Sequence, residues 1–317
     1  MTDFQEIEEA RERLRKYFLP TPAVRSGVLS EAAGLPVWLK LELLQPTGSF
    51  KVRPAMNSML ANLEQARSKG VVTSSSGNFA QGAAYAAKRL GVDLQVVMMK
   101  NASEFKRKRT EALGAAVVLC GNTFKDRWDT TYRIEKQEQR LLIHPYDSLH
   151  TLAGDGTVGL ELLEQIEGDF CAVVPISGGG LISGIATAVK EKRPACRVVG
   201  VQPAANGSMR KSIEAGERVT VTPGPTLADA LLIAQPGEHT FEVVRRLVDE
   251  VVVVDEDEIR AAVKFLAEEQ KLVVEGGGAV GVAALRNGKV AAGGLPVVCI
   301  LSGGNILPGD LAAILAA

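Results

Sequence analysis

Strand-length runs of apolar residues alternate with helix-length segments through most of this chain. The alternation passes from KGVVTSSS through NFAQGAAYAAKRLG, VDLQVVMMK and SEFKRKRTEALG to AAVVLC. It resumes at FCAVVPIS and continues to PVVCILS near the end of the chain. Because such runs form parallel strands that helices cover on both faces, the sequence predicts an α/β fold with two doubly wound parallel-sheet lobes.

The chain has 317 residues, a length that favours two domains. No low-complexity tract or long linker separates the two blocks, so the boundaries must fall in short connections. We predict that residues 1–48 and 145–317 form a large domain and that residues 49–144 form a small one. Ligands of open parallel sheets bind beyond the carboxyl ends of the strands, so the functional residues should follow strands.

Composition and charge exclude several classes of function. Lys and Arg number 36 against 37 for Asp and Glu, and this balance creates no field that would attract nucleic acid. No apolar run reaches membrane-spanning length, and the N-terminus has the pattern of a charged amphipathic helix. We therefore expect a cytoplasmic protein with no nucleic-acid or membrane partner. The four cysteines are predicted to be reduced core residues without metal-ligand spacing, at Cys120, Cys171, Cys196 and Cys299.

One lysine lies where its amine could do chemistry. The segment LKLELLQPTGSFKVRPA places Lys51 after a Thr-Gly-Ser turn, where the pattern predicts the start of a helix. A positive helix end and nearby cations disfavour the ammonium form of a lysine, which assists Schiff-base formation. Taken alone, a solvated lysine in a first helical turn would be the simpler interpretation.

Two strand-to-helix turns could bind anions. The segment VVTSSSGNFAQG could present its N–H groups to a carboxylate, although ordinary N-capping by Ser76 or Asn78 is the alternative. The segment VVPISGGGL places Ser177–Gly180 before a helix, and glycine lets a phosphate approach the backbone closely. Its glycine spacing departs from G-x-G-x-x-G, which disfavours a dinucleotide.

Two later segments add candidate polar groups. CILSGGN ends the last predicted strand with Ser302, whose hydroxyl could meet a ring nitrogen or could simply cap a turn. KLVVEGGGAVG places Glu275 before three glycines. Glu275 could contact a ligand, or the segment could be no more than a device for close packing of a helix on a sheet.

Together and in this order, these segments resemble the threonine and serine dehydratase branch of the fold-type II pyridoxal-phosphate enzymes. The likeness runs from about Pro20 to Gly304 and includes GSFK, SSGNxAQG, SGGGL, TLAD and LSGGN. The resemblance implies pyridoxal 5'-phosphate as the cofactor, bound by the large domain. It also implies that Lys51 carries the cofactor as a Schiff base and removes the α-proton of the substrate.

The resemblance assigns further roles to residues of these segments. Asn78 would bond the ring hydroxyl of the cofactor, Ser302 would face the pyridine nitrogen, and Glu275 is placed in the cofactor site. Ser76 would be a second catalytic residue, on the ring face opposite Lys51. The phosphate would be held by Ser177, Gly178, Gly179, Gly180 and Leu181. The substrate would be bound by Ser75, Ser76, Gly77, Asn78, Phe79 and Tyr146.

The implied activity is α,β-elimination from a β-hydroxy amino acid, L-threonine or L-serine, with release of a 2-oxo acid and ammonia. A serine beside the pyridine nitrogen does not hold the ring protonated, which favours expulsion of a β-substituent over transamination. Several alternatives use the same scaffold. They are amino acid racemisation, elimination from 3-hydroxyaspartate or phenylserine, β-replacement as in cysteine synthases, and cofactor binding without catalysis.

The chain departs from the family pattern at four positions near these motifs. Pro54 stands where Gly usually follows GSFKxR, and Phe79 replaces the usual His after GN. Asp155 occupies the Gln position of AGQGT, and Ala230 follows TLAD where Gly is common. With Tyr146 also near the substrate, a larger or more apolar β-substituent than that of threonine is an open alternative.

The resemblance also concerns metal binding, assembly and regulation. Some relatives, including serine racemases, bind a divalent cation through a glutamate that Gln202 replaces here, so we predict no metal at that site. A homo-oligomer, either a dimer or a tetramer, is expected from the family. Nothing follows Ala317 that could form an appended regulatory domain, which favours a catabolic or broad-specificity role.

Overall fold

The computed structural model describes residues 2–317 and contains ten strands in two sheets. In chain order the strands are β1 (Ala23–Arg25), β2 (Val37–Lys40), β3 (Val71–Ser74), β4 (Leu94–Met99), β5 (Ala116–Cys120), β6 (Leu141–Leu142), β7 (Cys171–Pro175), β8 (Arg197–Pro203), β9 (Glu250–Val254) and β10 (Val297–Ile300). The larger sheet has the order β1-β2-β10-β7-β8-β9, and the smaller sheet has the order β5-β4-β3-β6.

Helices cover both sheets. Seven belong to the first half of the described chain: α1 (Phe4–Leu14), α2 (Gly27–Ala33), α3 (Val52–Ala61), α4 (Leu63–Lys69), α5 (Asn78–Leu90), α6 (Glu104–Ala112) and α7 (Phe124–Glu138). Seven follow: α8 (Leu149–Gln165), α9 (Gly180–Lys192), α10 (Ser208–Ala215), α11 (Glu238–Leu247), α12 (Glu256–Glu268), α13 (Gly276–Arg286) and α14 (Pro308–Ala316). The predicted α/β fold with two sheet lobes is confirmed.

The smaller sheet is parallel throughout, whereas the larger one has an antiparallel edge. Strand β1 pairs with β2 in the antiparallel sense, an edge pairing that the sequence patterns do not predict. The segment Ala23–Arg25 is short and mostly exposed, and it lacks the apolar run that marks the buried parallel strands. Every residue of β7 and β10 is buried, because helices pack on both faces of the sheet there.

Local sequence signals explain where several helices begin. Asp3 and Glu6 form a reciprocal capping box at α1, and Thr123 and Asp126 form another at α7. The close contact of α8 with α9 depends on glycine. A Cβ atom on Gly184 would clash with the backbone nitrogen of Gly156.

The predicted domain boundaries at 48/49 and 144/145 stay predictions.

A cluster of paired charges is buried where β2, α3 and α8 meet. The Arg53 guanidinium donates to Glu42 at 2.8 Å through both Nε and Nη2, and its Nη1 lies 2.6 Å from Glu161 Oε1. Lys40 Nζ lies 2.5 Å from Glu161 Oε2 and donates to the carbonyl oxygen of Thr21. These charges balance, and we call this group the paired cluster: Lys40, Glu42, Arg53 and Glu161.

The structure also bears on the cysteines and on membrane insertion. All four cysteines are buried free thiols, as predicted for core residues. Within residues 2–317, no helix combines the length and the apolar character that a bilayer crossing needs.

Candidate functional site

A cavity of about 370 Å³ lies between the two sheets, and all of the predicted site residues line it. Turns from both lobes contribute, although these residues come from six separated segments of the chain. The residues brought together are Lys51, Ser75, Ser76, Gly77, Asn78, Phe79, Tyr146, Ser177, Gly178, Gly179, Gly180, Leu181, Glu275 and Ser302.

Lys51 immediately precedes α3, as the sequence predicts. Its Nζ donates to the carbonyl oxygen of Pro145 at 3.1 Å and lies 4.6 Å from the ring centre of Phe50 and 5.7 Å from that of Phe79. Burial lowers the pKa of Lys51, although the charge of Asp155 acts in the opposite direction. The amine is thus held in surroundings that favour its neutral, nucleophilic form.

The turn before α5 leaves its backbone N–H groups without a side-chain cap. The N-cap residue is Gly77, and no side chain bonds the first turn of the helix. The interpretation that Ser76 or Asn78 merely caps the helix is therefore wrong. Asn78 instead donates from Nδ2 to Glu275 Oε1 at 2.6 Å and accepts from Asn305 Nδ2 at 2.9 Å. The uncapped helix end can receive a carboxylate.

The glycine-rich turn joins β7 to α9 on the opposite wall. Gly179 has a φ of +103°, a conformation that side chains disfavour, and a Cβ atom on Gly178 would lie 2.3 Å from the Tyr146 ring. The Ser177 hydroxyl is buried without a hydrogen-bond partner in the protein. Together with the N-terminus of α9, this unsatisfied hydroxyl fits a phosphate group.

Glu275 and Ser302 lie at the ends of neighbouring segments beside the same cavity. Glu275 Oε2 is buried without a partner, and burial, reinforced by Asp229, raises the pKa of Glu275 to about 7. Ser302 is 5% exposed, and its carbonyl oxygen accepts from the Phe50 N–H, which ties it to the turn before Lys51. Both side chains can therefore contact a ring bound between the lobes.

Asp155 lies behind the glycine-rich turn. The side chain has no exposed surface, and neither carboxyl oxygen has a hydrogen-bond partner. A Cβ atom on Gly180 would lie 2.7 Å from its Oδ2. Burial raises the pKa of Asp155 to about 7, while Lys51 and then Arg53 act to lower it. The sequence marks Asp155 only as a departure from the family pattern, not as part of the site.

Several cavity residues carry no signal in the sequence. Phe124 and Arg127 come from the amphipathic helix α7, and Lys106 comes from α6. Asp229, which pairs with Lys106, belongs to the TLAD segment, but the sequence assigns it no role.

The position at which some relatives bind a cation holds a satisfied amide. Gln202 is fully buried, accepts from the Arg210 N–H at 3.0 Å and lies 3.4 Å from Ser208 Oγ. Among the described residues, no three acidic, cysteine or histidine side chains are grouped so that they could hold a metal ion.

Two open α/β sheets with a shared cavity at their adjoining strand ends are the architecture of fold-type II coenzyme enzymes. The sequence profile of the family described as "Pyridoxal-phosphate dependent enzyme" matches residues 14–303. The chain belongs to this family. The residues around the cavity fit its coenzyme, because the amine of Lys51 and the unsatisfied Ser177 turn offer a site for an aldehyde and for a phosphate.

Individual relatives agree with this membership. The chain is 43% identical over 306 residues to a protein of Thermotoga maritima named L-threonine ammonia-lyase, covering 96% of this chain and 76% of that one. Maize serine racemase superposes with a TM-score of 0.94 at 37% identity, covering 99% of this chain and 97% of the other. The processed form of threonine deaminase isoform 2 from Solanum lycopersicum superposes with a TM-score of 0.90 at 33% identity, covering 99% and 92%.

Proposed function

We propose that the protein removes water and then ammonia from a β-hydroxy amino acid, with pyridoxal 5'-phosphate bound at Lys51. The observation that carries the proposal is the position of Lys51 Nζ in the cavity shared by the uncapped α5 turn and the glycine-rich turn. The name of the Thermotoga maritima relative indicates threonine as a first substrate to test, and serine is the closest analogue.

Pyridoxal phosphate, when bound, supplies an electron sink for the bond broken at the α-carbon. Lys51 would take the α-proton, because burial lowers its pKa and leaves a neutral amine able to accept it. The β-hydroxyl would leave as water after it gains a proton, so that the net loss from the substrate is one proton from the α-carbon and one hydroxide from the β-carbon. The released enamine then hydrolyses to a 2-oxo acid and ammonia, so that the water lost in the first step is regained in the last.

The other residues would bind and orient. Ser177–Leu181 would hold the phosphate, and the N–H groups that begin α5 would hold the substrate carboxylate. Asn78 would bond the ring hydroxyl, with its orientation fixed by Glu275 and Asn305. Ser302 would meet the ring nitrogen as a neutral hydroxyl. Ser76 would act on the ring face opposite Lys51.

The test is release of 2-oxo acid and ammonia by purified holoenzyme from L-threonine, L-serine, their D-forms and phenylserine. Lys51→Ala should lower release by about 10⁴-fold or more, because the α-proton acceptor is lost. Borohydride reduction should attach the coenzyme to the Lys51 peptide, as read by mass spectrometry. Lys211→Ala, on the exposed surface of α10, is the matched control and should behave as wild type.

Two outcomes would contradict the proposal. Unchanged activity in Lys51→Ala would remove this lysine from the chemistry. Lys51-dependent conversion of L-serine to D-serine without ammonia would assign the protein to racemisation instead.

We also propose a homo-oligomer, a dimer or a tetramer, and a concentration-independent monomer in sedimentation would refute it.

A further inference from the structure

Arg127 is buried in the cavity wall with part of its guanidinium unsatisfied. It lies in the first turn of α7 and is 6% exposed, and its guanidinium carbon lies 4.5 Å from the ring centre of Phe124. Nη1 lies 3.5 Å from Ser76 Oγ, and Nε is buried without a hydrogen-bond partner. The cation therefore lies beside Ser76, which is predicted to bind the substrate on the ring face opposite Lys51.

No carboxylate of the described chain forms an ion pair with Arg127. The two ionisable groups that act most strongly on it are Tyr146 and Cys120. Burial raises the pKa of Tyr146 to about 12 and also raises that of Cys120, so both are neutral near pH 7. A buried, uncompensated charge costs several kcal/mol, so an ion from outside the chain is expected to balance it.

Other cations in this protein have their partners. Arg53, equally buried, bonds two carboxylates, and Lys106 in the same cavity wall pairs with Asp229. Lys51 has its own proposed role at the coenzyme. Arg127 is thus the buried cation of the cavity for which neither the protein nor the coenzyme chemistry provides a counter-charge.

The other anionic groups of the proposed complex already have places. The phosphate has the Ser177–Leu181 turn, and the α-carboxylate has the uncapped N-terminus of α5. A guanidinium binds a carboxylate through two parallel hydrogen bonds, which gives it a strong preference for such a group. What remains for Arg127 is an acidic group on the side chain of the substrate.

We propose that Arg127 binds the side-chain carboxylate of the substrate, so that the preferred substrate is an acidic β-hydroxy amino acid such as 3-hydroxyaspartate. The inference rests on the proposed elimination at Lys51 and specifies the substrate of that site. The β-carbon then carries both the leaving hydroxyl and the group that Arg127 holds, which fixes the orientation of the bond to be broken.

The test compares kcat/KM for both diastereomers of L-3-hydroxyaspartate and for L-threonine in wild type and Arg127→Met. In wild type, kcat/KM for one 3-hydroxyaspartate diastereomer should exceed kcat/KM for L-threonine by about 10-fold or more. Arg127→Met should lower turnover of that substrate by about 10- to 100-fold, the range of a lost charge-assisted hydrogen bond, and this loss should exceed any loss with threonine by at least about 10-fold. Methionine retains much of the apolar length of arginine, and Arg127→Lys provides a second variant should Arg127→Met fail to fold.

A binding measurement makes the test independent of turnover. Calorimetry with succinate and butyrate compares two ligands of equal chain length that differ by one carboxylate. Wild-type holoenzyme should bind succinate at least about 10-fold more tightly than Arg127→Met does, with butyrate unaffected. Arg133→Met is the matched control, because Arg133 lies on the same helix but is exposed.

The outcomes separate this inference from the proposed function. Lys51-dependent threonine turnover with no effect of Arg127→Met on any acidic ligand would overturn the inference alone. Equal losses for threonine and 3-hydroxyaspartate would place Arg127 at the α-carboxylate, and weaker coenzyme binding would place it at the phosphate. Either result overturns the inference. Arg127-dependent succinate binding without elimination of any substrate would support the acidic subsite and refute the proposed reaction.

Discussion

The protein buries two groups of ionisable side chains, which differ in whether their polar atoms have partners within the protein. In the paired cluster of Lys40, Glu42, Arg53 and Glu161, both carboxylates bond buried cations. Around the cavity, Arg127 and Asp155 each have unsatisfied polar atoms despite equal burial.

The difference shows that burial alone does not mark a functional residue. Both groups are desolvated, but only the cavity side chains of Arg127, Asp155 and Glu275 have buried polar atoms without a hydrogen-bond partner in the protein. The contrast extends to pH. Burial alone would raise the pKa of Glu42, but Arg53 outweighs it and the net pKa is lowered, whereas the pKa values of Asp155 and Glu275 are raised. The paired cluster therefore stabilises the fold, and the cavity group is expected to contribute binding free energy when ligands satisfy it.

The largest effect on stability is expected from Arg53→Met. The change leaves Glu42 and Glu161 buried without their shared guanidinium, and breaking such a pair lowers the free energy of unfolding by about 3–5 kcal/mol. Urea unfolding at neutral pH measures it. Arg245→Met is the control, because its pair with Glu242 is about half exposed and should be worth about 0–1 kcal/mol. Equal losses of unfolding free energy in the two variants would show that buried pairs stabilise this protein no more than exposed pairs do.

A pH-dependent effect of the opposite sign is expected from Asp155→Asn in the coenzyme-free protein. The pKa of Asp155 rises from its ordinary 3.8 to about 7 on folding, so its neutral form favours the fold and ionisation costs stability. Relative to the variant, wild type should lose up to about 1.4 kcal/mol of unfolding free energy per pH unit between pH 3.8 and about 7.

Unfolding of both proteins from pH 4 to pH 8 measures this difference. Parallel curves for wild type and Asp155→Asn would show that the carboxyl of Asp155 has hydrogen-bond partners in solution. Asp155 would then not belong with the unsatisfied side chains around the cavity. The contribution of Glu42 to stability depends on pH in the opposite direction to that of Asp155. Because its folded pKa lies below 4.5, its stabilisation is present above that pH and is lost as the pH falls.

The smallest effect is expected from Glu275→Gln. Its pKa rises from 4.5 to about 7, a narrower window than that of Asp155, and the stability it contributes is likewise lost as the pH rises through that window. Glutamine retains the oxygen that accepts from Asn78, so the hydrogen bond survives. The same pH series measures it. A larger effect than that of Asp155→Asn would show that the Asn78 hydrogen bond depends on the charge of Glu275.

The two lobes and the strand-to-helix turns of the cavity could be predicted because both depend on local patterns, whereas Phe79 and Tyr146 were assigned only through the family resemblance. Apolar runs mark buried strands, and turns such as Ser177–Gly180 follow them directly. The antiparallel edge strand β1 was missed because three mostly exposed residues carry no such pattern. Arg127 was missed because its importance lies in a partner that is absent, and pairing between residues far apart in sequence leaves no periodic signal.

The position of β10 has a consequence for how the chain can fold during synthesis. β10 separates β2 from β7 in the larger sheet, so the β1–β2 pair cannot join the rest of that sheet until residues 297–300 have left the ribosome. The smaller sheet has all its strands within residues 71–142 and meets no such delay. The larger lobe should therefore expose unpaired strand edges for longer and depend more on protection from aggregation while translation continues.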